Sequence, residues 1–597
     1  MGSYSWRGKI LRVNLSTGEF TEENIVSTDL TEWIGGRGLA VRFAAKEIPA
    51  TPQLPGPDNK LIFAAGPLTG TGAPGTGRFC ACTRSPLTGT IFDSNAGGKW
   101  GVQFKKCGWD VLIVEGESPS PVWIELTQDK ALIHDAGEIW GCDTKTTTRA
   151  LLDTAGSHAG VLAIGPAGEN LVNYASIIVD GYRALGRGGV GAVMGAKKLK
   201  AITARGNLKT KIANKEKFKL AVYEAGKWLK ANPVTSKALP EFGTPVLVNL
   251  FNEMGVLPAY NFRQSSFAGA PRISGEALAE TLYAGRQGCS SCPVRCAHLI
   301  RTPDGTGEGP EYESVWALGP ACGIGDLQII VEANRLCNLL GLDTISTGVT
   351  VSCAMELEEA GLGHFGLKFG EGPSLLRAIE DTAYRRGAGN LLANGSKQLA
   401  AECGAPHLAM QVKGLELPAY DPRGLLGMGL AFATSNRGGC HMRAYMAALE
   451  ALGIPKKVDR MTTEGKAGLV INCQNISAAM DCLLVCRFIN LAAAEEYFSR
   501  ILSAVTGVGY QPQDLYRIGE KIWNTERLFN TRCGFNRLDD TLPPRLLKEP
   551  HADSSCEKTG ENLDTMLSEY YRFRGWDENG VPTNKKLREL GLEEILC

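Results

Sequence analysis

The chain has 597 residues, about four times the length of a common domain, so two or three domains around a large core are expected. Its 63 basic and 63 acidic residues cancel, which leaves no general electrostatic footprint for nucleic acid or an anionic membrane. No stretch reaches the roughly 18 uninterrupted apolar residues of a spanning helix, and Met1 to Leu15 lacks the continuous apolar core of a signal peptide, so a cytoplasmic location is expected.

The first two hundred residues carry strand and turn signals. Lys9 to Leu15 alternates, Ser16-Thr17-Gly18 turns, and Glu19 to Ile25 returns as a hairpin. Val122 to Leu126 and Ala131 to His134 repeat that pattern around Gln128-Asp129-Lys130. Between them lie two similar turns, Gly66 to Thr71 and Ser85 to Thr90. The 72 glycines are dense in this third, as tight turns and close backbone approach to a ligand require.

After about Asn207 the apolar spacing becomes helical. Helices are expected over Lys211–Lys230, Gly275–Arg286, Glu332–Leu340, Leu375–Arg386 and Leu391–Glu402, then over Leu469–Cys486, Ala492–Thr506 and Asp514–Asn530. The breaker-rich stretch Glu416 to Gly424 marks a boundary within the helical part. The fold class expected is therefore α+β: a β-rich cofactor-binding domain over 1–208, then two mainly helical domains over 209–417 and 418–597. The polar segment from Lys548 reads as a surface wrap.

Eighteen cysteines without a secretion signal read as reduced thiols, most of them small core hydrophobes. One cluster is different. Cys289, Cys292 and Cys296 stand at C-x2-C-x3-C, a spacing that lets one tight loop present three thiolates to a single inorganic centre. An iron-sulfur cluster with a distant fourth ligand and a zinc site using His298 both remain open from spacing, although His298 follows Cys296 too closely for ordinary structural zinc.

A second segment, Asp481-Cys482-Leu483-Leu484-Val485-Cys486, ends an apolar helical stretch. Here the chain resembles the aldehyde ferredoxin oxidoreductases, mostly tungsten-dependent enzymes, and the resemblance runs from the N-terminal hairpin to Gly575-Trp576. It implies that Asp481 binds a pterin while Cys486 joins Cys289, Cys292 and Cys296 as the fourth ligand of a 4Fe-4S cluster. The family commonly has serine after the aspartate and glycine-leucine before the cysteine. Cys482 and Leu484-Val485 depart from that pattern, and Cys482 is a rival fourth ligand.

The same resemblance assigns the remaining positions. Asp343 matches a first pterin carboxylate, with Asp481 serving a second pterin, so that one tungsten or molybdenum ion is held between two pterins. Arg78, Asn95, Gly97, Arg183, Gly186, Arg187, Thr347, Arg437, Arg443 and Val485 match pterin-binding positions, and a Mg2+ bridging the pterin phosphates is part of the expected cofactor set. Carboxylates suit a pterin's ring NH groups, whereas arginines and glycine amides suit its phosphates. The run Gly186 to Gly191 is followed by Lys197, Lys198 and Lys200 where a dinucleotide fold would need an acidic residue, so a Rossmann site is rejected.

Glu313 and His441 match the family's active-site segments. The chemistry makes Glu313 the general base and His441 a hydrogen-bond donor to a developing oxyanion. Implied partners are a small aldehyde and either ferredoxin or an iron-sulfur electron-transfer subunit, in an oligomer. Two other readings stay open. One is a catalytic subunit like that of tungsten-dependent benzoyl-coenzyme A reductases, with Cys322 as a conceivable metal ligand; the other is a catalytically silent iron-sulfur subunit.

Overall fold

The computed structural model describes residues 4–51, 54–128, 130–302, 305–551 and 559–593. The N-terminal third holds strands β1 (Lys9–Asn14), β2 (Glu19–Asn24), β3 (Leu61–Ala64), β4 (Phe79–Arg84), β5 (Ile91–Ala96) and β6 (Val111–Glu115), ordered β2-β1-β6-β3-β4-β5 in one sheet. A second sheet follows: β7 (Val122–Thr127), β8 (Lys130–Asp135), β9 (Gly160–Ala163), β10 (Ile177–Val179), β11 (Arg183–Leu185) and β12 (Leu199–Arg205), ordered β11-β10-β9-β12-β7-β8. Both expected hairpins form as antiparallel pairs, β1 with β2 and β7 with β8. Asp129, in the turn of the second, lies outside the described residues.

Side chains alternate across a strand, and the first sheet uses both of its faces. Leu61, Phe63, Leu112 and Val114 pack against the second sheet around Trp100, whose ring stacks on Phe104 at 5.0 Å. Ile62, Ala64, Val111 and Ile113 face the opposite way, onto the helices Gly36–Glu47 and Lys466–Leu483. Strands covered on both sides read as near-continuous apolar runs, as Leu61-Ile62-Phe63-Ala64 does. A β-rich unit followed by helices gives the α+β class, and the chain's largest apolar core gathers residues from Ala167 to Trp576.

Four expectations need correction. The stretch Gly275–Arg286 is a helix only to Thr281; Tyr283–Gln287 is a strand paired with Ala297–Thr302, which pairs in turn with Gly305–Glu308. That small sheet brings the two ends of the cysteine loop together, a long-range demand that helical spacing does not register. The stretch Leu391–Glu402 is two short helices, Gly389–Leu392 and Ser396–Glu402, broken at Gly395, whose φ of +88° suits glycine. The helix Thr344–Glu359 was not expected, because it is buried on nearly every side and so has no apolar stripe to read. Finally, the segment after Lys548 is no surface wrap: Tyr570, Tyr571, Arg574 and Trp576 are buried. Arg574 donates 2.7 Å bonds to Asn475 Oδ1 and Gln474 Oε1, and the Trp576 indole donates to Asn524 Oδ1 at 2.7 Å. Residues 552–558 of that segment lie outside the described set.

Among the described residues no single helix is long and apolar enough to cross a membrane.

Candidate active site

A cavity of about 350 Å³ lies where the first sheet, the cysteine loop and the C-terminal helices meet. Its walls include all four expected cluster thiols, Cys289, Cys292, Cys296 and Cys486, and both expected pterin carboxylates, Asp343 and Asp481. Arg78, Asn95, Arg183, Gly186, Arg187, Arg437, Arg443, Val485 and His441 line it as well. Three expected residues stand elsewhere. Gly97 borders an adjoining cavity of about 220 Å³, and a Cβ there would collide with Cys289 Sγ. The Thr347 hydroxyl turns back to donate to Asp343 O at 2.7 Å. Glu313 sits behind His441.

The cysteine loop closes through local backbone bonds. Cys292 N donates to Cys289 O at 3.1 Å, while Ser291 and Arg295 take left-handed conformations that curl the loop. Cys486 is delivered from the other side. The helix Lys466–Leu483 ends at Leu484, φ +58°, a left-handed helix stop, after which Val485 N returns to Met480 O and Cys486 N donates to Gly75 O, both at 3.0 Å. Burial, and then the neighbouring Cys486 side chain, push the Cys292 thiol upward. Cys482 does not share this space. It is fully buried, and its thiol donates to Ala478 O at 3.1 Å inside the helix. His298 lies outside the cavity too, with Nε2 3.2 Å from Pro240 O. So does Cys322, whose thiol contacts Ala317 O and Gly348 O at 3.4 Å. Among the described residues no three His, Cys, Asp or Glu side chains converge on a single-ion position.

Each expected pterin carboxylate is paired with an arginine. Arg187 Nε donates to Asp343 Oδ2 at 3.2 Å, and its other nitrogens donate to Gly439 O and Glu416 O. Asp343 also caps the helix Thr344–Glu359, accepting from Ile345 N and Ser346 N. On the other wall Asp481 Oδ2 accepts from Arg443 at 2.9 Å and from Arg37 at 3.2 Å.

Behind this wall lies a network that sequence reasoning did not find. Arg37, fully buried, makes two 2.8 Å bonds to Glu526, and Arg443 donates to Asp93 Oδ2 at 3.0 Å. Against the upward push of burial, Arg443, Arg37 and Arg437 hold the Asp93 carboxyl down at about 2. The visible signal was Gly35-Gly36-Arg37-Gly38, an arginine set among glycines at a close approach: a Cβ at Gly36 would collide with Asp481 O. Cys440 was also missed. Burial raises its thiol, but Arg437, Arg443 and Arg187 outweigh burial and bring it to about 7, with Arg437 donating to Sγ at 2.9 Å.

The donor set fits a bulky anionic group. Arginines outnumber carboxylates on the cavity wall. The Nε atoms of Arg437, Arg443 and Arg487 and Oδ1 of Asn95 are buried without a hydrogen-bond partner, a costly state that a bound ligand with acceptors and ring NH groups relieves.

Glu313 and His441 form the remaining feature. His441 Nε2 lies 3.6 Å from Glu313 Oε1, while Glu313 Oε2 accepts from Ala419 N at 3.1 Å. Burial pushes the Glu313 carboxyl up to about 8. Burial, and then Arg187, Arg437, Arg487 and Arg443, push His441 well below its usual value. At neutral pH both are uncharged, so their approach is not an ion pair.

Family comparison decides the affiliation. The model for the N-terminal domain of aldehyde ferredoxin oxidoreductase matches residues 10–206, and the model for its domains 2 and 3 matches residues 221–592. The chain belongs to the aldehyde ferredoxin oxidoreductase family. Full-length relatives agree: the tungsten-containing aldehyde ferredoxin oxidoreductase of Pyrococcus furiosus is 45% identical over 98% of this chain and 99% of that protein. Its counterpart in Thermococcus kodakarensis is 44% identical over 99% of both chains. The fold of the family recurs in the active-site complex BamBC of benzoyl coenzyme A reductase, with a TM-score of 0.86 and 23% identity, covering 99% of this chain and 98% of that one. At that identity the likeness is one of fold.

Proposed function

We propose that this chain oxidises aldehydes to carboxylic acids, with a tungsten bis-pterin and a 4Fe-4S cluster as its resident groups and ferredoxin or an iron-sulfur subunit as electron acceptor. The observation that carries this reading is that Asp481 and Cys486, joined by one helix end, open onto the same cavity as the cysteine loop and the Arg187–Asp343 pair. The identity to tungsten-containing aldehyde ferredoxin oxidoreductases supports the substrate class and the metal.

Asp343 and Asp481 would hold the pterin ring edges, the arginines with the Gly186 and Gly97 backbone would hold its phosphates, and a Mg2+ would neutralise part of the phosphate charge. Cys289, Cys292, Cys296 and Cys486 would hold the cluster. Four thiols spread around a void suit a polynuclear group, and a single zinc ion would need them converged. When bound, the metal-pterin group supplies oxygen transfer and takes up two electrons.

The chain's own residues manage water and protons. Glu313, its carboxyl near 8, is poised as a general base for the attacking water or the departing proton, acting across His441. Neutral His441 donates a hydrogen bond to the oxyanion that forms at the former carbonyl. Enclosure strengthens both interactions by excluding bulk solvent. Free thiols at every described cysteine are in keeping with a cytoplasmic enzyme.

The test is metal analysis with an activity assay on anaerobically purified protein. Iron, sulfide and tungsten together with aldehyde-dependent viologen reduction are expected. Iron without tungsten or molybdenum, and no viologen reduction with any aldehyde, would overturn the reading.

A further inference from the structure

On the far side of the cysteine loop lies a second depression. A groove of about 470 Å³ is bounded by the helix Lys215–Ala231, through Val222, Gly226 and Lys230, and by the loop itself, through Ser291, Pro293 and Arg295. The cluster thiols Cys289, Cys292 and Cys296 face the cavity on the other side of the same loop. Ser291 and Pro293, the neighbours of Cys292, are therefore groove wall. Adjacent Cα atoms are about 3.8 Å apart, so the loop is one residue thick between the inner cavity and solvent.

The groove's charge has one sign. Lys230, Arg286 and Arg295 line it, and no carboxylate does. The chain as a whole is neutral, yet residues 209 to 237 carry eight lysines against two glutamates. Those glutamates are already engaged, Glu216 with Lys219 and Glu224 with Arg500. Among the described residues no ion pair neutralises Lys227, Lys230, Arg286 or Arg295. Lys230 lines the groove, and Lys215, Lys219, Tyr223 and Lys227 lead up to it at helical spacing on the same helix. Tyr223 is 61% exposed, with the Lys227 ammonium 4.6 Å over its ring. A groove whose loop wall is one residue from a candidate redox centre, adjoined by a cationic stripe with an exposed tyrosine, is a surface made to receive an acidic redox protein.

We infer that this groove, between the helix Lys215–Ala231 and the loop Gly288–Cys296, is the docking face for the electron-accepting protein, a small acidic iron-sulfur protein. The inference rests on the cluster assignment made above and extends it from the cofactor to the partner. The exchange is of electrons alone. One electron reduces the partner's cluster as the enzyme's cluster is reoxidised, and two such encounters clear the pair released by one aldehyde. Interfaces for transient electron transfer are small and steered by charge, which suits a groove of this size.

The experiment compares the wild-type holoenzyme with Lys227→Glu/Lys230→Glu, using an acidic ferredoxin and, separately, a viologen as acceptor. The charge reversal is expected to raise the KM for ferredoxin at least tenfold and to leave viologen reduction within twofold. In the wild type, raising salt from roughly 0.05 to 0.5 M raises the ferredoxin KM, because screening shortens the reach of the lysines. An unchanged ferredoxin KM in the variant overturns the inference. Zero-length carboxyl-to-amine cross-linking of wild-type enzyme to ferredoxin, followed by peptide mapping, is a readout independent of turnover. Adducts on the helix Lys215–Ala231, at Lys215, Lys219, Lys227 or Lys230, support the face, and adducts confined to lysines outside that helix overturn it. A wild type that reduces no viologen with any aldehyde overturns the aldehyde reading instead, and leaves the docking face to the cross-linking result.

Discussion

Glu313 Oε1 stands 3.6 Å from His441 Nε2, and neither atom is charged at neutral pH: burial holds the proton on the carboxyl up to about 8 and keeps it off the imidazole. In a solvated site the same pair would ionise and lock together. Here the carboxyl is left able to change charge within the working range of an enzyme.

That relationship fixes a pH profile. If Glu313 is the base, kcat/KM climbs with pH and levels off above about 8. Glu313→Gln flattens the profile and lowers the plateau by roughly a hundredfold or more. The profile, measured with a viologen acceptor, decides between this and a purely structural carboxyl, for which the variant would keep the wild-type shape.

The same substitution has an opposite effect on stability. The folded-state carboxyl lies above its unfolded value, so its stabilising contribution is full below about 4.5 and is lost as pH rises toward 8. Glu313→Gln carries no such loss. Between those limits wild-type stability falls relative to the variant by about 1.4 kcal/mol per pH unit. Thermal melts of apoprotein at pH 5 and pH 8 are expected to show the variant gaining on the wild type at the higher pH.

The two walls of the cavity are separable by metal content. Asp481→Asn removes one of two carboxylate partners of Arg443, which keeps its bond to Asp93, and leaves Arg37 its bonds to Glu526, so the fold survives. Tungsten content is expected to fall at least tenfold with iron retained. Cys486→Ser should do the reverse to iron, whereas Cys482→Ser should leave iron unchanged because that thiol bonds inside its helix. Iron loss in the Cys482 variant would reassign the fourth ligand.

What could be read in advance depended on sequence distance. The three thiols of the loop stand close together at C-x2-C-x3-C, so spacing carries their geometry, whereas the Asp481–Cys486 step was tied to them by the family resemblance. Arg37 and Asp481 meet across 444 positions, and Arg37 and Glu526 across 489, so neither contact leaves a local pattern. The protonation of Glu313 was equally hidden, because it follows from enclosure that only the assembled fold creates. The buried C-terminal aromatics were misread for a related reason: Tyr570, Tyr571 and Trp576 sit in a mostly polar segment whose apolar partners are far away in the chain. Trp576→Ala is expected to cost about 3–5 kcal/mol, seen as a large fall in Tm, where a surface wrap would lose almost nothing.

Leu484 supplies the last prediction. It occupies the left-handed position, φ +58° and ψ +37°, that turns the chain from Asp481 toward Cys486, and it does so as a buried leucine 1% exposed. A side chain there costs about 1–2 kcal/mol in backbone strain, while burying a leucine returns about 1.5–3 kcal/mol, so packing wins. Removing the packing isolates the strain. Leu484→Ala loses the buried side chain and keeps the unfavourable backbone, whereas Leu484→Gly loses the side chain and relieves it. Both variants are therefore less stable than wild type, but the glycine variant is expected to exceed the alanine variant by about 1 kcal/mol, the reverse of the order in a helix interior. Denaturant unfolding of the two apoproteins measures the difference directly; alanine above glycine would mean that the turn joining Asp481 to Cys486 relaxes when its leucine is removed.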